Sequence, residues 1–297
     1  MRLLLLGGSG QLGHALAQVL PTAGDLVVAD RSRCDFRDLD AVRDVVREVA
    51  ADCVVNAVAY TAVDQAEQDE ATAARVNAEA VAVIGEEAAK RQAAVVHFST
   101  DYVFDGTATR PYREDDAPAP VSAYGRTKLA GERALAATNP RHLILRTSWV
   151  FGAHGANFLK TMLRLAGERD TLRVVADQFG APSSVEMLGA VTRTVLEAVS
   201  RGATPWGVYH CAPQGSVSWH GYAQFVLQEA RARGAVLRAG PDDVIPITTA
   251  EYPTPARRPA NSRLDTTKLR DTFHCALPEW ELGVRGVLSQ LLPQDRS

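Results

Sequence analysis

Apolar runs four to six residues long recur through the first half of the chain, at residues 3–6, 26–29, 53–58, 94–99 and 143–147. Each is continuous in hydrophobicity instead of alternating, which predicts strands buried on both faces of a parallel sheet. Between them the spacing turns helical: Val42, Val45, Val46 and Val49 fall on one face of residues 38–50, and an alanine-rich tract fills 70–90. Strand and helix alternate, so residues 1–150 predict a Rossmann-type, doubly wound α/β domain. Beyond residue 150 the pattern loosens into a helix over 157–168, a strand near Val174 and a helix over 185–200, joined by Pro- and Gly-rich connections. Residues 151–297 are therefore expected to form mainly a smaller α/β substrate lobe, with some later segments returning to the first domain and a cleft between the two. Three prolines in residues 252–259 exclude a helix interior and predict an ordered loop or strand edge carrying Arg257 and Arg258. The tail from Gln294 is expected to fray.

Composition adds exclusions. At 297 residues, 46% hydrophobic and 23% charged, the chain has ordinary globular statistics, and a net charge of −3 argues against a dedicated nucleic-acid or anionic-membrane binder. The apolar start is cut at Gly7 and Gly8, short of signal or membrane-spanning length, and no later run is long enough. Cys34, Cys53, Cys211 and Cys275 are far apart, with neither metal-site nor disulfide-framework spacing, so a reducing, cytoplasmic setting is expected.

The candidate chemistry begins with Gly7-Gly8-Ser9-Gly10-Gln11-Leu12-Gly13, directly after the first strand and opening the first helix. That context sets backbone amides and the helix dipole against a pyrophosphate, and the three-residue spacing of Gly7, Gly10 and Gly13 points to the short-chain dehydrogenase class. The second strand ends at Asp30, where a carboxylate would meet the adenosine ribose of NAD, while Arg31 and Arg33 would pair a 2′-phosphate, so both NADH and NADPH are expected cofactors. These charges also fit a solvated loop. Asp35 and Phe36 suit an adenine edge and face, or a surface turn. Tyr124 and Lys128 stand four apart on a helical segment and share its face. An ammonium beside a phenol favours ionisation, so Lys128 is expected to pull the Tyr124 pKa toward neutrality and ready it for proton exchange with a carbonyl oxygen. Lys128 also suits the nicotinamide ribose. Thr100 and Asp101 end the fourth predicted strand, where ligand contacts gather in an open α/β sheet, and Thr100 suits the substrate carbonyl.

With these motifs in place, the sequence resembles the dTDP-4-dehydrorhamnose reductase family of extended short-chain dehydrogenases. The likeness is carried by residues 10–13, 55–64, 99–104, 124–132, 146–150, 157–164, 177–182 and 258–264, and so spans both predicted lobes. It implies reduction of the 4-keto group of dTDP-4-dehydro-6-deoxy-L-mannose by NADH or NADPH, the last step of dTDP-rhamnose biosynthesis. It also implies that Gly10, Gln11 and Leu12 touch the pyrophosphate, that Asp30, Asp35 and Phe36 surround the adenosine, and that Ala59, Tyr60, Thr61 and Phe98 line the dinucleotide groove. Tyr124 and Lys128 take the catalytic roles with Thr100. Thr100 and Asp101 meet the sugar, and Trp149 packs on the substrate, although a core role suits a tryptophan equally. Some relatives form dimers bridged by a carboxylate-held metal; here Ala15 replaces the first-helix glutamate, Glu186 is left without a partner, and no metal is expected. The chain is thus read as a monomer or homodimer whose partner is a small nucleotide sugar, with no nucleic acid and no membrane. Tyr60 stands where some relatives carry a more polar residue, which alters groove shape. A 4,6-dehydratase would carry an Asp-Glu pair after Thr100, but Asp101 is followed by Tyr102. A reductase of another nucleotide-linked 4-keto-6-deoxysugar is the runner-up, and a non-catalytic NADP-binding regulatory subunit resembling that of methionine adenosyltransferase is the alternative against which the full Thr100, Tyr124 and Lys128 set weighs.

Overall fold

The computed structural model describes residues 1–203 and 206–292. The tail from Gln294 lies outside the described residues. The chain runs β1 (Arg2–Leu6), α1 (Gln11–Val19), β2 (Asp25–Ala29), α2 (Leu39–Val49), β3 (Cys53–Asn56), α3 (Val63–Ala66), α4 (Glu70–Ala74), α5 (Ala80–Ala89), β4 (Ala94–Thr100), α6 (Ala123–Thr138) and β5 (His142–Thr147). It continues through β6 (Val150–Phe151), α7 (Phe158–Glu168), β7 (Leu172–Val175), β8 (Phe179–Gly180), β9 (Ser183–Ser184), α8 (Val185–Ser200), β10 (Gly207–His210), β11 (Val217–Ser218), α9 (Trp219–Ala232), β12 (Val244–Ile247), α10 (Thr267–Phe273) and α11 (Trp280–Leu291).

Six parallel strands form the central sheet in the order β10-β5-β4-β3-β1-β2. The continuous leucine run of β1 has a simple physical origin: Leu3 and Leu5 enter the core on one face of the sheet, Leu4 and Leu6 the core on the other. On the first face lie α1 and α8; on the second, α2 and α5. The valines at 42, 45, 46 and 49 are all buried there, beneath a helix capped by Asp38, whose carboxylate accepts from the amides of Asp40 and Ala41.

The strand order reverses between β1 and β3, and in an open α/β sheet the crevice at the carboxyl ends of such strands is the place for a ligand. A third core, built on Phe151, Leu159, Tyr222, Val226, Trp280 and Val284, joins α7, α9 and α11 into a separate lobe. Several later segments return to the sheet: α8 packs on α1, β10 extends the edge beyond β5, and Leu269 and Phe273 of α10 enter the first core. Residues 252–259 form no helix or strand beyond the end of a short 3₁₀ turn. No helix among the described residues is long and apolar enough to cross a membrane.

Candidate active site

After β1 the chain turns at Gly7 with φ +87°, a conformation that side-chain-bearing residues rarely adopt. A Cβ on Gly13 would overlap the Gly7 carbonyl oxygen, so α1 can approach the turn this closely only through glycine. Gly10 caps α1 without a side chain, and no acidic residue stands in the first turn. The first amides of a nine-residue helix, with its positive end, are thereby left for an anion, and the cradle fits a dinucleotide pyrophosphate.

The cleft beside the cradle has a volume of about 350 Å³. Gly7, Gly10, Arg31, Asp35, Phe36, Ala59 and Tyr60 all line it. Asp30 stands at the end of β2, but its carboxylate accepts from the amide and hydroxyl of Ser32 at 2.9 and 2.6 Å, bonds that hold its pKa below the ordinary value. Arg31 lines the cleft, whereas Arg33 does not and instead pairs with Glu48 on α2 at 3.1 Å. Arg37, which no sequence motif marks, lines the cleft instead and binds Asp35 at 2.6 Å. Arg37 first and Arg31 after it hold the Asp35 carboxyl far below the usual carboxylate range.

The remaining groove residues divide. Gln11 spends its side chain on the second lobe, donating to the Val150 carbonyl at 3.2 Å and accepting from Asn157 at 2.7 Å, and Leu12 packs against the first core. Thr61 is exposed outside the cleft. The Phe98 ring lies in the core, and what it offers the site is its carbonyl oxygen.

Ser122 caps α6 through the amide of Gly125, and Glu67 accepts from the Ala123 amide at 2.7 Å. This start places Tyr124 in the first turn and Lys128 one turn later. A π segment at residues 75–79 brings Asn77 against them: its side chain accepts from the Tyr60 amide at 2.8 Å and donates to the Tyr60 carbonyl and to Thr127. Thr100 accepts from the Tyr102 amide and donates to Asp101 at 3.0 Å, and its side chain stands beside the Tyr124 phenol. The Tyr102 ring meets that of Tyr124 edge-on at 5.5 Å.

The expected drop in the Tyr124 pKa is not found. Burial pushes the phenol well above its ordinary value, with Asp101 adding to the rise and the Thr100 hydrogen bond opposing it. Lys128, 1% exposed, turns its ammonium into the sheet, donating to the Phe98 carbonyl at 2.7 Å and lying 3.2 Å from His97 Nε2. Burial lowers its pKa to about 8. Tyr124 therefore carries its proton at neutral pH, the state a proton donor needs.

Next to Thr100, Asp101 is 3% exposed and its Oδ2 atom is buried without a hydrogen bond. Trp149 adopts φ +49°, an outlier for so bulky a residue, and stacks on Trp219 at 3.6 Å. Trp219, at the start of α9, carried no sequence signal because its partner is 70 residues away. Asp64 accepts from Arg258 at 2.7 Å and from the Ala256 amide, tying the proline-rich loop to the first domain. Gln290 of α11 donates to the Glu186 carboxylate at 3.0 Å. Ala15 is buried in α1.

Comparison with known proteins identifies the family. The family model described as the RmlD substrate binding domain matches residues 1–292. The dTDP-4-dehydrorhamnose reductase of Salmonella typhimurium is 45% identical over 295 residues, covering 98% of each chain. Among solved structures, the dTDP-4-dehydrorhamnose reductase of Clostridium acetobutylicum superposes with a TM-score of 0.90 at 34% identity, covering 98% of this chain and 99% of that one. The Bacillus anthracis dTDP-4-dehydrorhamnose reductase, solved in complex with NADP, gives 0.89 at 33% identity over 97% and 99% of the two chains. Matched through both lobes and along nearly its whole length, the chain belongs to the dTDP-4-dehydrorhamnose reductase family of nicotinamide-dependent oxidoreductases.

Proposed function

We propose that the chain reduces the 4-keto group of dTDP-4-dehydro-6-deoxy-L-mannose (dTDP-4-dehydro-L-rhamnose) to give dTDP-L-rhamnose, using NADPH or NADH. The observation that carries the residue roles is the convergence of Thr100, Tyr124 and Lys128 at the carboxyl end of β4, beside the uncapped glycine cradle of α1. The glycine turn, Ala59 and Tyr60 hold the dinucleotide, and Arg31 and Arg37 face its adenosine end. A dihydronicotinamide held there would supply the hydride that the C4 carbonyl needs. Tyr124, kept protonated by burial, gives its proton to the forming alkoxide, and Thr100 holds the same oxygen by hydrogen bonding. Asp101 and Trp149 contact the sugar and its base. Residues 1–150 serve mainly the dinucleotide and residues 151–297 mainly the sugar.

The enzyme works as a monomer or homodimer on this small molecule. Its four free cysteines, three of them buried, support a reducing, cytoplasmic setting.

The test is loss of NADPH or NADH absorbance on addition of dTDP-4-dehydro-6-deoxy-L-mannose, with the product identified by NMR. Tyr124→Phe is expected to lower kcat by about 10²- to 10⁴-fold with dinucleotide affinity unchanged. A variant retaining most of its turnover would remove Tyr124 from the role of proton donor.

A further inference from the structure

Behind Lys128 lies a buried polar chain made by Asn56 and His97. Asn56, at the end of β3, accepts from the Val58 amide through Oδ1 at 3.0 Å. A backbone N–H is always a donor, so this bond fixes which end of the Asn56 amide is oxygen. The other end, Nδ2, faces His97 Nδ1 at 3.1 Å and must donate to it. His97 on β4 is fully buried, and burial first, then the Lys128 charge, holds its pKa far below the ordinary value, so its ring is neutral. A neutral imidazole that accepts at Nδ1 carries its proton on Nε2. That proton is aimed at Lys128 Nζ, 3.2 Å away.

We infer that His97 is a positioning residue which sets the protonation state of Lys128: fixed by Asn56 as the Nε2–H tautomer, it presents a donor to Nζ and favours the neutral amine. The geometry leaves Nζ one donated bond, to the Phe98 carbonyl at 2.7 Å, and one received from His97. An ammonium, having three donors and no acceptor, would set two donors face to face. The surroundings otherwise offer Lys128 little support. Glu132, one turn along α6, raises its pKa but is itself paired with Arg146 from β5 at 2.6 Å; Tyr124 keeps its proton; and from the π segment the uncharged Asn77 bonds the neighbouring Thr127. The catalytic consequence rests on the reading of Lys128 as part of the reductase machinery. If the ammonium is the active form, rate is lost as pH rises through the Lys128 pKa, and the His97 tautomer draws that loss down toward neutrality.

The chain has only four lysines, Lys90, Lys128, Lys160 and Lys268, so ligand-free protein labelled with ¹³C-lysine and ¹⁵N-histidine gives a readable titration, with Lys128→Arg assigning the signal. His97 is expected to show the Nε2–H pattern, and Lys128 to titrate well below the other three lysines. Asn56→Asp places a carboxylate opposite Nδ1, reverses the tautomer and turns Nε2 into an acceptor. The Lys128 midpoint should then rise by at least one pH unit, the alkaline limb of kcat moving with it; His97→Gln, whose amide oxygen can face Nζ, should move both the same way. A His97 Nδ1–H pattern, a Lys128 that titrates with the other lysines in the unaltered protein, or an unchanged midpoint in folded Asn56→Asp would each overturn the inference. If neither variant folds, the unaltered protein decides. These spectra need no turnover, so a failed reductase assay overturns the activity and a displaced titration overturns the role of His97.

Discussion

At the scale of single residues the active site is a set of buried polar groups whose charge states are governed by burial. Asp101 illustrates the cost. One of its oxygens accepts from Thr100 at 3.0 Å, the other is buried without a partner, and burial raises its pKa from 3.8 to about 6, opposed by Ser262 and Thr100. A carboxyl raised by folding favours the fold in its protonated form. Its contribution is complete below about 3.8 and is lost as pH climbs through about 6. Asp101→Asn should therefore stabilise the protein at pH 8 by up to roughly 3 kcal/mol and flatten the decline between pH 4 and 6, while raising the sugar KM about tenfold. Thermal melts across that range, beside steady-state kinetics, check both halves; a variant less stable than the parent at pH 8 would contradict this account of Asp101. Legibility at this scale depended on sequence distance. Tyr124 and Lys128 were readable because a helix puts residues four apart on one face, and Thr100 because it ends a buried run. Asn77, His97, Arg37 and Trp219 were not readable, since each takes its meaning from a partner that the fold, and not the local sequence, supplies: Asn77 bonds Tyr60 at a separation of 17 residues and Thr127 at 50. The direction of the Tyr124 pKa shift was hidden for a related reason. Four-residue spacing gives a shared face, but the direction of the Lys128 ammonium is set by β4.

At the scale of elements, α6 is the part that must be held still, because it carries both Tyr124 and Lys128. Its start is fixed by Ser122 and Glu67, and its middle by a fork of two hydrogen bonds from Arg146 on β5 to Glu132, at 2.9 and 2.6 Å, with both side chains 4% exposed. The Arg146 guanidinium also lies 5.2 Å from the centre of the Phe104 ring. Removing one member of such a pair strands a buried charge. Glu132→Ala is expected to cost about 3–5 kcal/mol in chemical denaturation, and the Glu132→Leu, Arg146→Met double replacement to recover most of it. Recovery of stability without recovery of kcat would separate the role of the pair in placing α6 from its role in holding the fold. The strands beside this helix were legible because burial on both faces leaves an uninterrupted apolar run. The sixth strand, β10, was not: it is four residues long and only half buried, since it forms the edge of the sheet. Side chains close that edge, Glu114 accepting from the His210 amide and Lys268 donating to the Val208 carbonyl, each at 2.8 Å.

At the scale of the whole molecule, the two lobes have separate cores and are coupled by a few specific bonds around the cleft. Gln11 ties the start of α1 to Val150 and Asn157, and so joins the glycine cradle to the lobe built on α7. Asp64 at α3 in turn holds residues 256 and 258 of the proline-rich loop. Proline gives that loop a stiff backbone but few amides of its own to bond, so its position depends on side chains from elsewhere. The same segment runs on to Ser262, the residue that opposes the rise in the Asp101 pKa. Releasing the Asp64 tether should consequently disturb the sugar side of the cleft and spare the dinucleotide side. The Asp64 and Arg258 side chains are 41% and 19% exposed, so screening keeps the contribution of the pair to global stability at about 1 kcal/mol or less. Asp64→Ala is therefore expected to change the melting temperature little and to leave NADPH affinity unaltered in calorimetry, while the KM for the nucleotide sugar rises about tenfold. An equal weakening of dinucleotide and sugar binding would show that the loop holds the whole cleft. A change in neither would show that the prolines alone set its position.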